Sequence, residues 1–385
     1  MPTTAPVRFS EQTTPSGQII ATACLDAEKS LNSLTLDMID ALWAQFCHWA
    51  NDPTVAMVVL EGAGERAFCA GADLTRLHAT CLAHRASAAR DDIAANDYAL
   101  DFFSREYRLD YFIHHYPKPI LCWGQGVVMG GGMGLMAGCS HRVVTDQLRL
   151  AMPEINIGLF PDVGGSWFLS RVPRQAGVFL AFTAAQLGAG DAIFAGLADF
   201  FIPHARKAEV MTNLAAAPWQ TDSHANRRIL SEVLAAKAEP VPTDGPLRTN
   251  LESIALACAG HSACEVRDRI SALATRGEWF ERAAATLRAG SPTTAALSLA
   301  LQRRLRTASL AEVFRAELVA ALTCAARPDL AEGIRALLID KDRTPRWTPA
   351  TLEAVSPEWI DGFFAGPWST AAHPLADLGV ARPVT

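Results

Sequence analysis

Residues 125–165, QGVVMGGGMGLMAGCSHRVVTDQLRLAMPEINIGLFPDVGG, decide how this chain reads. Gly130, Gly131, Gly132 and Gly134 remove side chains from a turn where backbone can press against a ligand. N–H groups bared at such a turn, or at the start of a helix after it, hold developing negative charge. Downstream of Asp146 the stretch contains only two carboxylates, Glu154 and Asp162, both set among apolar residues. A carboxylate in an apolar run is costly unless it has a partner or a task. For either acid alone, a buried, hydrogen-bonded structural role is the plain reading. The glycine turn beside them favours a site that joins an anion-binding backbone to acid/base groups.

A second turn of small residues, Phe68–Asp73 (FCAGAD), follows the apolar run Val55–Leu60 and the glycine-containing EGAGERA. By itself it is an ordinary β–α turn. Together with 130–134 it can supply the second of two N–H donors converging on one carbonyl oxygen.

Working outward, short apolar runs at Gln18–Cys24, Val55–Leu60, Ile120–Trp123, Arg142–Thr145 and Arg149–Met152 read as strands. Leu34–Ala50 is helical, with Leu36, Ile39, Leu42 and Phe46 on one face, and Asp101–His115 reads as a further helix. The pattern is a repeating β–α arrangement. Beyond Pro203 helical periodicity dominates, interrupted by the Pro-rich stretch Ala238–Pro246. Pro292 after Ser291 marks a helix start, and Ala311–Ala326 is helical. We therefore expect an α/β core with the site at 1–203 and a mostly helical region at 204–385.

The 385 residues are half hydrophobic, enough for a large core, and carry a net charge of −6, which argues against nucleic acid as a partner. The nine cysteines show no framework spacing. With no leader pattern in MPTTAPVRFSEQTTPSG, this predicts a reducing, cytoplasmic setting. Ile120–Cys139 has the length of a membrane span, but seven of its residues are glycine. A turn there splits it into a strand and a helix, and no membrane span is expected.

Three other patterns are weaker. Gly132-Met133-Gly134-Leu135-Met136-Ala137 matches the G-x-G-x-x-A dinucleotide fingerprint, but Asp146 comes too soon for its acidic partner. His78, Cys81 and His84 share a helix face yet match no standard zinc spacing, and no metal is expected. Ser166 lacks the nucleophile elbow, having Phe168 where the second glycine belongs.

At KSLNSLTLDMI (29–39), AFCAGAD (67–73), the glycine turn, AMPEINIGLFPDVGG (151–165) and EGIRALLIDKDRTPRW (332–347), the chain resembles the crotonase (enoyl-CoA hydratase/isomerase) superfamily, and within it the 3-hydroxyisobutyryl-CoA hydrolase family. The resemblance implies an α/β spiral of repeated ββα units and an acyl-CoA thioester substrate, with no separate cofactor. It implies an oxyanion hole from the N–H groups of Ala72 and Gly131, a catalytic Glu154, a companion acid Asp162 and a substrate-lining Glu106. Lys29 and Lys341 match positions near the nucleotide end of CoA. Hydratases of this superfamily carry a second glutamate three residues after the oxyanion glycine. Here that position is Gly134, which favours thioester hydrolysis, with 3-hydroxyisobutyryl-CoA of valine breakdown the leading substrate. Hydration or isomerisation of an enoyl-CoA is the alternative, and a non-catalytic CoA-ester binder the second. Ile155, Ser166-Trp167 and Trp123 depart from the family pattern and bear on the acyl pocket. The superfamily's assemblies imply a homo-oligomer, the alternative being that the longer helical region covers that surface within one chain.

Overall fold

The structure, a computed structural model, describes residues 6–241 and 245–380. Residues 242–244 of the Pro-rich break and the first five of the N-terminal stretch lie outside the described residues. The chain forms two compact units. One comprises Met1–Ala72, Phe112–Ala151 and Gln186–Thr249; the other comprises Asp73–Tyr111, Met152–Ala185 and Asn250–Thr385.

The first unit holds the sheets. Strands β1 (Val7–Thr13), β2 (Ile19–Leu25), β3 (Val55–Gly62), β5 (Ile120–Gly124), β7 (His141–Val144) and β9 (Phe200–Phe201) form a six-stranded sheet in that order. Only the β1–β2 pair is antiparallel. Strands β4 (Ala67–Cys69), β6 (Val127–Met129) and β8 (Arg149–Ala151) form a parallel three-stranded sheet. The first six residues of β3, VAMVVL, are all buried, as expected of a parallel strand covered on both faces. The β1 hairpin partner and the short β4, β6 and β9 had no clear signal in the sequence. Helix α1 (Leu36–Asn51) begins where Thr35 Oγ1 accepts the Met38 N–H, and it buries Met38, Ile39, Leu42, Phe46 and Trp49 along one stripe. Trp123, Met57, Val59, Leu121 and Val143 pack with Leu214, Trp219, Leu230 and Leu234 in one core cluster.

The second unit is helical. It includes α2 (Leu74–Ala86), most of α3 (Asp97–His114), and the helices Pro292–Arg304 and Leu310–Ala326. The first of these two starts at Pro292 with Ser291 as its cap; the second starts one residue before the expected 311.

The two units do not coincide with the expected division at residue 203. Past that point the described residues do form helices and loops. The strands of the six-stranded sheet all lie before it, and the parallel ones are separated by long crossovers because parallel neighbours need them. Each unit is accordingly assembled from three separate segments, drawn from both sides of residue 203. The apolar run at 120–139 is split into β5, β6 and helix α4 (Gly131–Gly138), and among the described residues no helix is long and apolar enough to cross a membrane.

Candidate active site

The candidate residues fall into two groups, one in each unit. In the first, the turn after β4 meets the turn before α4. A Cβ placed on Gly71, whose φ is +106°, would stand 3.3 Å from the Met129 carbonyl oxygen and 3.8 Å from the Gly131 nitrogen. Gly132 packs even more tightly: a Cβ there would lie 2.4 Å from the Cys69 carbonyl oxygen. These close approaches need bare backbone, and they bring Ala72 and Gly131 into neighbouring turns. Gly131 is the first residue of α4, so its N–H has no partner within the helix and lies at the positive end of its dipole. Ala72 bridges to Leu34, and the Leu34 N–H donates to the Gly71 carbonyl at 2.7 Å. The same segment carries Lys29, exposed on a single 3-10 turn. It is tied down by Asn32, whose buried amide donates to the carbonyls of Ala63 and Ala67, each at 3.0 Å.

In the second unit, Glu106, Glu154 and Asp162 come together as three buried carboxyls, 2%, 4% and 4% exposed. Glu106 stands on α3, Glu154 opens the 3-10 turn Glu154–Asn156, and Asp162 precedes the turn into Gly165–Leu169. Oε1 of Glu106 and Oε2 of Glu154 are buried without a hydrogen-bond partner. Burial, then the negative charges of Asp162 and Glu106, hold the Glu154 carboxyl well above the usual carboxylate range. Burial and the charge of Asp162 raise Glu106 in the same way. Asp162 is pushed up to about 7 by burial, against the lowering effect of its hydrogen bond from Tyr107. The Tyr107 O–H donates to Asp162 Oδ2 at 2.7 Å.

Two supports hold these acids. The Ser291 N–H donates to the Ile155 carbonyl at 2.9 Å, and Ser291 Oγ donates to Asp329 Oδ2 at 2.7 Å. Asp329 also accepts the Thr348 N–H at 2.7 Å. Beyond Asp162, Glu317 accepts the N–H groups of Gly164 and Ser166, each at 2.8 Å. Glu317 is itself fully buried, and burial raises its carboxyl to about 8 despite those donors. Sequence reading passed over Tyr107, Glu317 and Asp329. The signal for Glu317 was present: EVFRAELVAAL places it in an apolar helical run, the same argument that singled out Glu154.

Lys341 is exposed, at φ +58°, two residues past the π-helical turn Arg335–Ile339, and it takes no part in the carboxyl cluster. The bulky departures from the family pattern are absorbed. Ile155 packs against Gly290, where a Cβ would come within 2.6 Å of its Cγ1, and Trp167 stacks under the Arg171 guanidinium at 3.8 Å. Trp123 belongs to the first unit's core. The dinucleotide reading fails on position: Gly132 and Gly134 lie inside α4 rather than in the strand-to-helix turn that would cradle phosphates. Among the described residues no three His, Cys, Asp or Glu side chains gather as metal ligands. His84 Nε2 instead contacts the Ala89 and Asp92 carbonyls.

The profile of the family described as enoyl-CoA hydratase/isomerase matches residues 20–364. The chain belongs to the enoyl-CoA hydratase/isomerase family. It is 34% identical over 341 residues to the mitochondrial 3-hydroxyisobutyryl-CoA hydrolase of Gallus gallus, covering 88% of this chain and 85% of that protein. It is 33% identical over 346 residues to the mitochondrial 3-hydroxyisobutyryl-CoA hydrolase of Homo sapiens, covering 88% and 84%. Among solved structures it is similar to an enoyl-CoA hydratase from Rhodobacter sphaeroides 2.4.1, with a TM-score of 0.81, 34% identity, and 94% and 98% of the two chains covered. A carnitinyl-CoA dehydratase from Mycobacterium thermoresistibile gives a TM-score of 0.80 at 32% identity, covering 93% and 96%. The crotonase fold expected from the motifs is thus established for this family member. The cytoplasmic expectation is overturned, since these hydrolase relatives are mitochondrial. Free cysteines indicate only a reducing environment, which does not distinguish one such compartment from another.

Proposed function

We propose that this chain hydrolyses a short 3-hydroxyacyl-CoA thioester, 3-hydroxyisobutyryl-CoA, to the free hydroxy acid and CoA, a step of valine degradation. The observation that carries the reading is Glu154: a buried carboxyl with an unpartnered oxygen, raised well above the usual carboxylate range by burial and neighbouring acids, in a family that acts on CoA esters. The thioester carbonyl oxygen accepts the N–H groups of Ala72 and Gly131, which stabilise the charge it gains in the tetrahedral intermediate. Glu154, once ionised, either attacks the acyl carbon to form an acyl anhydride, which water then hydrolyses to the free acid and the carboxylate, or takes a proton from a water that attacks the acyl carbon itself. The C–S bond breaks, and the sulfur leaves as thiolate and takes up a proton. Asp162 accepts the substrate's 3-hydroxyl, and Glu106 lines the acyl pocket. Lys29 and Lys341 neutralise phosphates of CoA, which is part of the substrate, so no separate cofactor is required. The working form is a homo-oligomer of this chain, which light scattering on purified protein checks.

Glu154→Gln is expected to bind the ester and release no thiol. Hydrolysis at the wild-type rate in that variant would sink the assignment. Label found in Glu154 after a single turnover in ¹⁸O water supports the anhydride route, because a general base gains no oxygen from the solvent. The rival reading is hydration, favoured by the names of the two similar solved structures. Gly134, inside α4 where a hydratase of this family would carry its second glutamate, disfavours it. Purified protein given 3-hydroxyisobutyryl-CoA and crotonyl-CoA decides between them: thiol release from the first supports hydrolysis, and loss of enoyl absorbance without thiol supports hydration.

A further inference from the structure

Tyr107 is fully buried on α3, and the donor bond from its phenol to Asp162 Oδ2 is 2.7 Å long. Its ring is gripped by Phe103 and Phe314, with centroids 5.9 and 5.6 Å away, so the phenol cannot follow a rotating carboxyl. The backbone beside Asp162 is held as well. The Gly165 N–H donates to the Asp162 carbonyl at 2.7 Å, and Glu317 accepts the N–H groups of Gly164 and Ser166 at 2.8 Å. Val163 adopts φ +53° within that turn, a conformation that persists only where the surroundings enforce it. Main chain and side chain of Asp162 are therefore fixed by different elements.

We propose that Tyr107 is a positioning residue for the thioester hydrolysis: it holds one oxygen of Asp162 and so aims the carboxylate at the substrate's 3-hydroxyl. The inference rests on the role proposed above for Asp162. The negative charge of Asp162 reaches only anionic or neutral groups: Glu106 and Tyr107 from α3, Glu154 from its 3-10 turn, and Glu317 and Cys324 from the helix Leu310–Ala326. In that setting a donated hydrogen bond favours the ionised carboxyl, and its loss favours the protonated one.

The test uses the full chain with ¹³Cγ-labelled aspartate, the Asp162 signal being assigned by its disappearance in Asp162→Asn. In Tyr107→Phe the Asp162 titration midpoint is expected to move to higher pH. With 3-fluorotyrosine at position 107, a stronger donor of nearly the same size, it is expected to move to lower pH. Tyr107→Phe should also lower kcat/KM for 3-hydroxyisobutyryl-CoA about tenfold or more, the range for a hydrogen bond to a charged group, while isobutyryl-CoA, which lacks the hydroxyl, changes little. Unmoved midpoints in both variants would overturn the proposal, as would equal losses on the two substrates. Should Tyr107→Phe not fold, the fluorotyrosine protein alone still decides through its midpoint. Wild-type hydrolysis by Asp162→Asn would instead remove the role of Asp162, whatever the midpoints show.

Discussion

Burial and two neighbouring acids hold the Glu154 carboxyl well above the usual carboxylate range, and both routes to hydrolysis need it ionised. The rate must therefore climb as pH removes that proton. We expect log(kcat/KM) for thiol release to rise along a limb centred well above the ~4.3 of a free glutamate, reporting the carboxyl cluster as a whole rather than one residue. A limb at ordinary carboxylate pH would contradict the environment described for Glu154. Glu154→Gln should remove the activity at every pH, while CoA-ester binding measured by calorimetry stays near wild type. Ala72 and Gly131 act through backbone, so no truncation of a side chain tests them directly. The tightest neighbouring contact does. In Gly132→Ala the new methyl would sit 2.4 Å from the Cys69 carbonyl oxygen, which has to move. A loss of about 1–3 kcal/mol in urea denaturation, the usual range for overpacking, together with a steep fall in kcat, is expected. Unchanged kcat would show that the two turns tolerate displacement.

At the scale of elements, the helix Leu310–Ala326 matters because it carries Glu317 to the turn after Asp162. Its start is secured by a capping box: Ser309 Oγ accepts the Glu312 N–H, and the Glu312 carboxylate accepts the Ser309 N–H at 2.8 Å. Ser309→Ala is expected to lower stability by about 1 kcal/mol and to leave kcat within twofold, since Glu317 stands two turns further on. A large loss of kcat would mean that the first turn of the helix governs the active-site turn. On α3, Glu106 and Tyr107 are adjacent: Tyr107 donates to Asp162, and the charge of Asp162 raises Glu106. The helix thereby delivers one acid and one donor to the same carboxyl.

At the scale of the whole molecule, buried titratable groups set how stability varies with pH. Asp162 and Glu317 go from ordinary values when unfolded to about 7 and about 8 when folded. Their contribution is fully present below the unfolded values and is lost as pH rises through 7 and 8. Glu106 and Glu154 act in the same direction. Burial lowers His114 and His141 to about 4, so their contribution is present above the unfolded 6.5 and is lost as pH falls toward 4. The two sets oppose each other between pH 4 and 6.5, and above 6.5 only the carboxyl loss remains. Urea midpoints should therefore fall from pH 6.5 to 8, and Glu317→Gln should make that fall shallower. A midpoint that rises over this interval would contradict the buried carboxyl cluster.

The sequence by itself determined the family, the two carboxylates and the two glycine-rich turns. Those signals are local: a run of bare backbone, an acid among apolar residues, and continuous apolar strands can be read within a few positions of each residue. Five of the strands and α1 were legible for the same reason. The sheet order β1-β2-β3-β5-β7-β9 was not, nor the assembly of each unit from three segments, because parallel strands pair with partners far away in the chain. Tyr107 looks like a core residue of an amphipathic helix until folding sets it against Asp162, and the apolar run around Glu317 does not say which turn that acid holds. Only the tertiary structure decided that Glu106, Glu154 and Asp162 share one buried environment. Their raised proton affinities come from that shared desolvation and mutual repulsion, which no window of sequence contains.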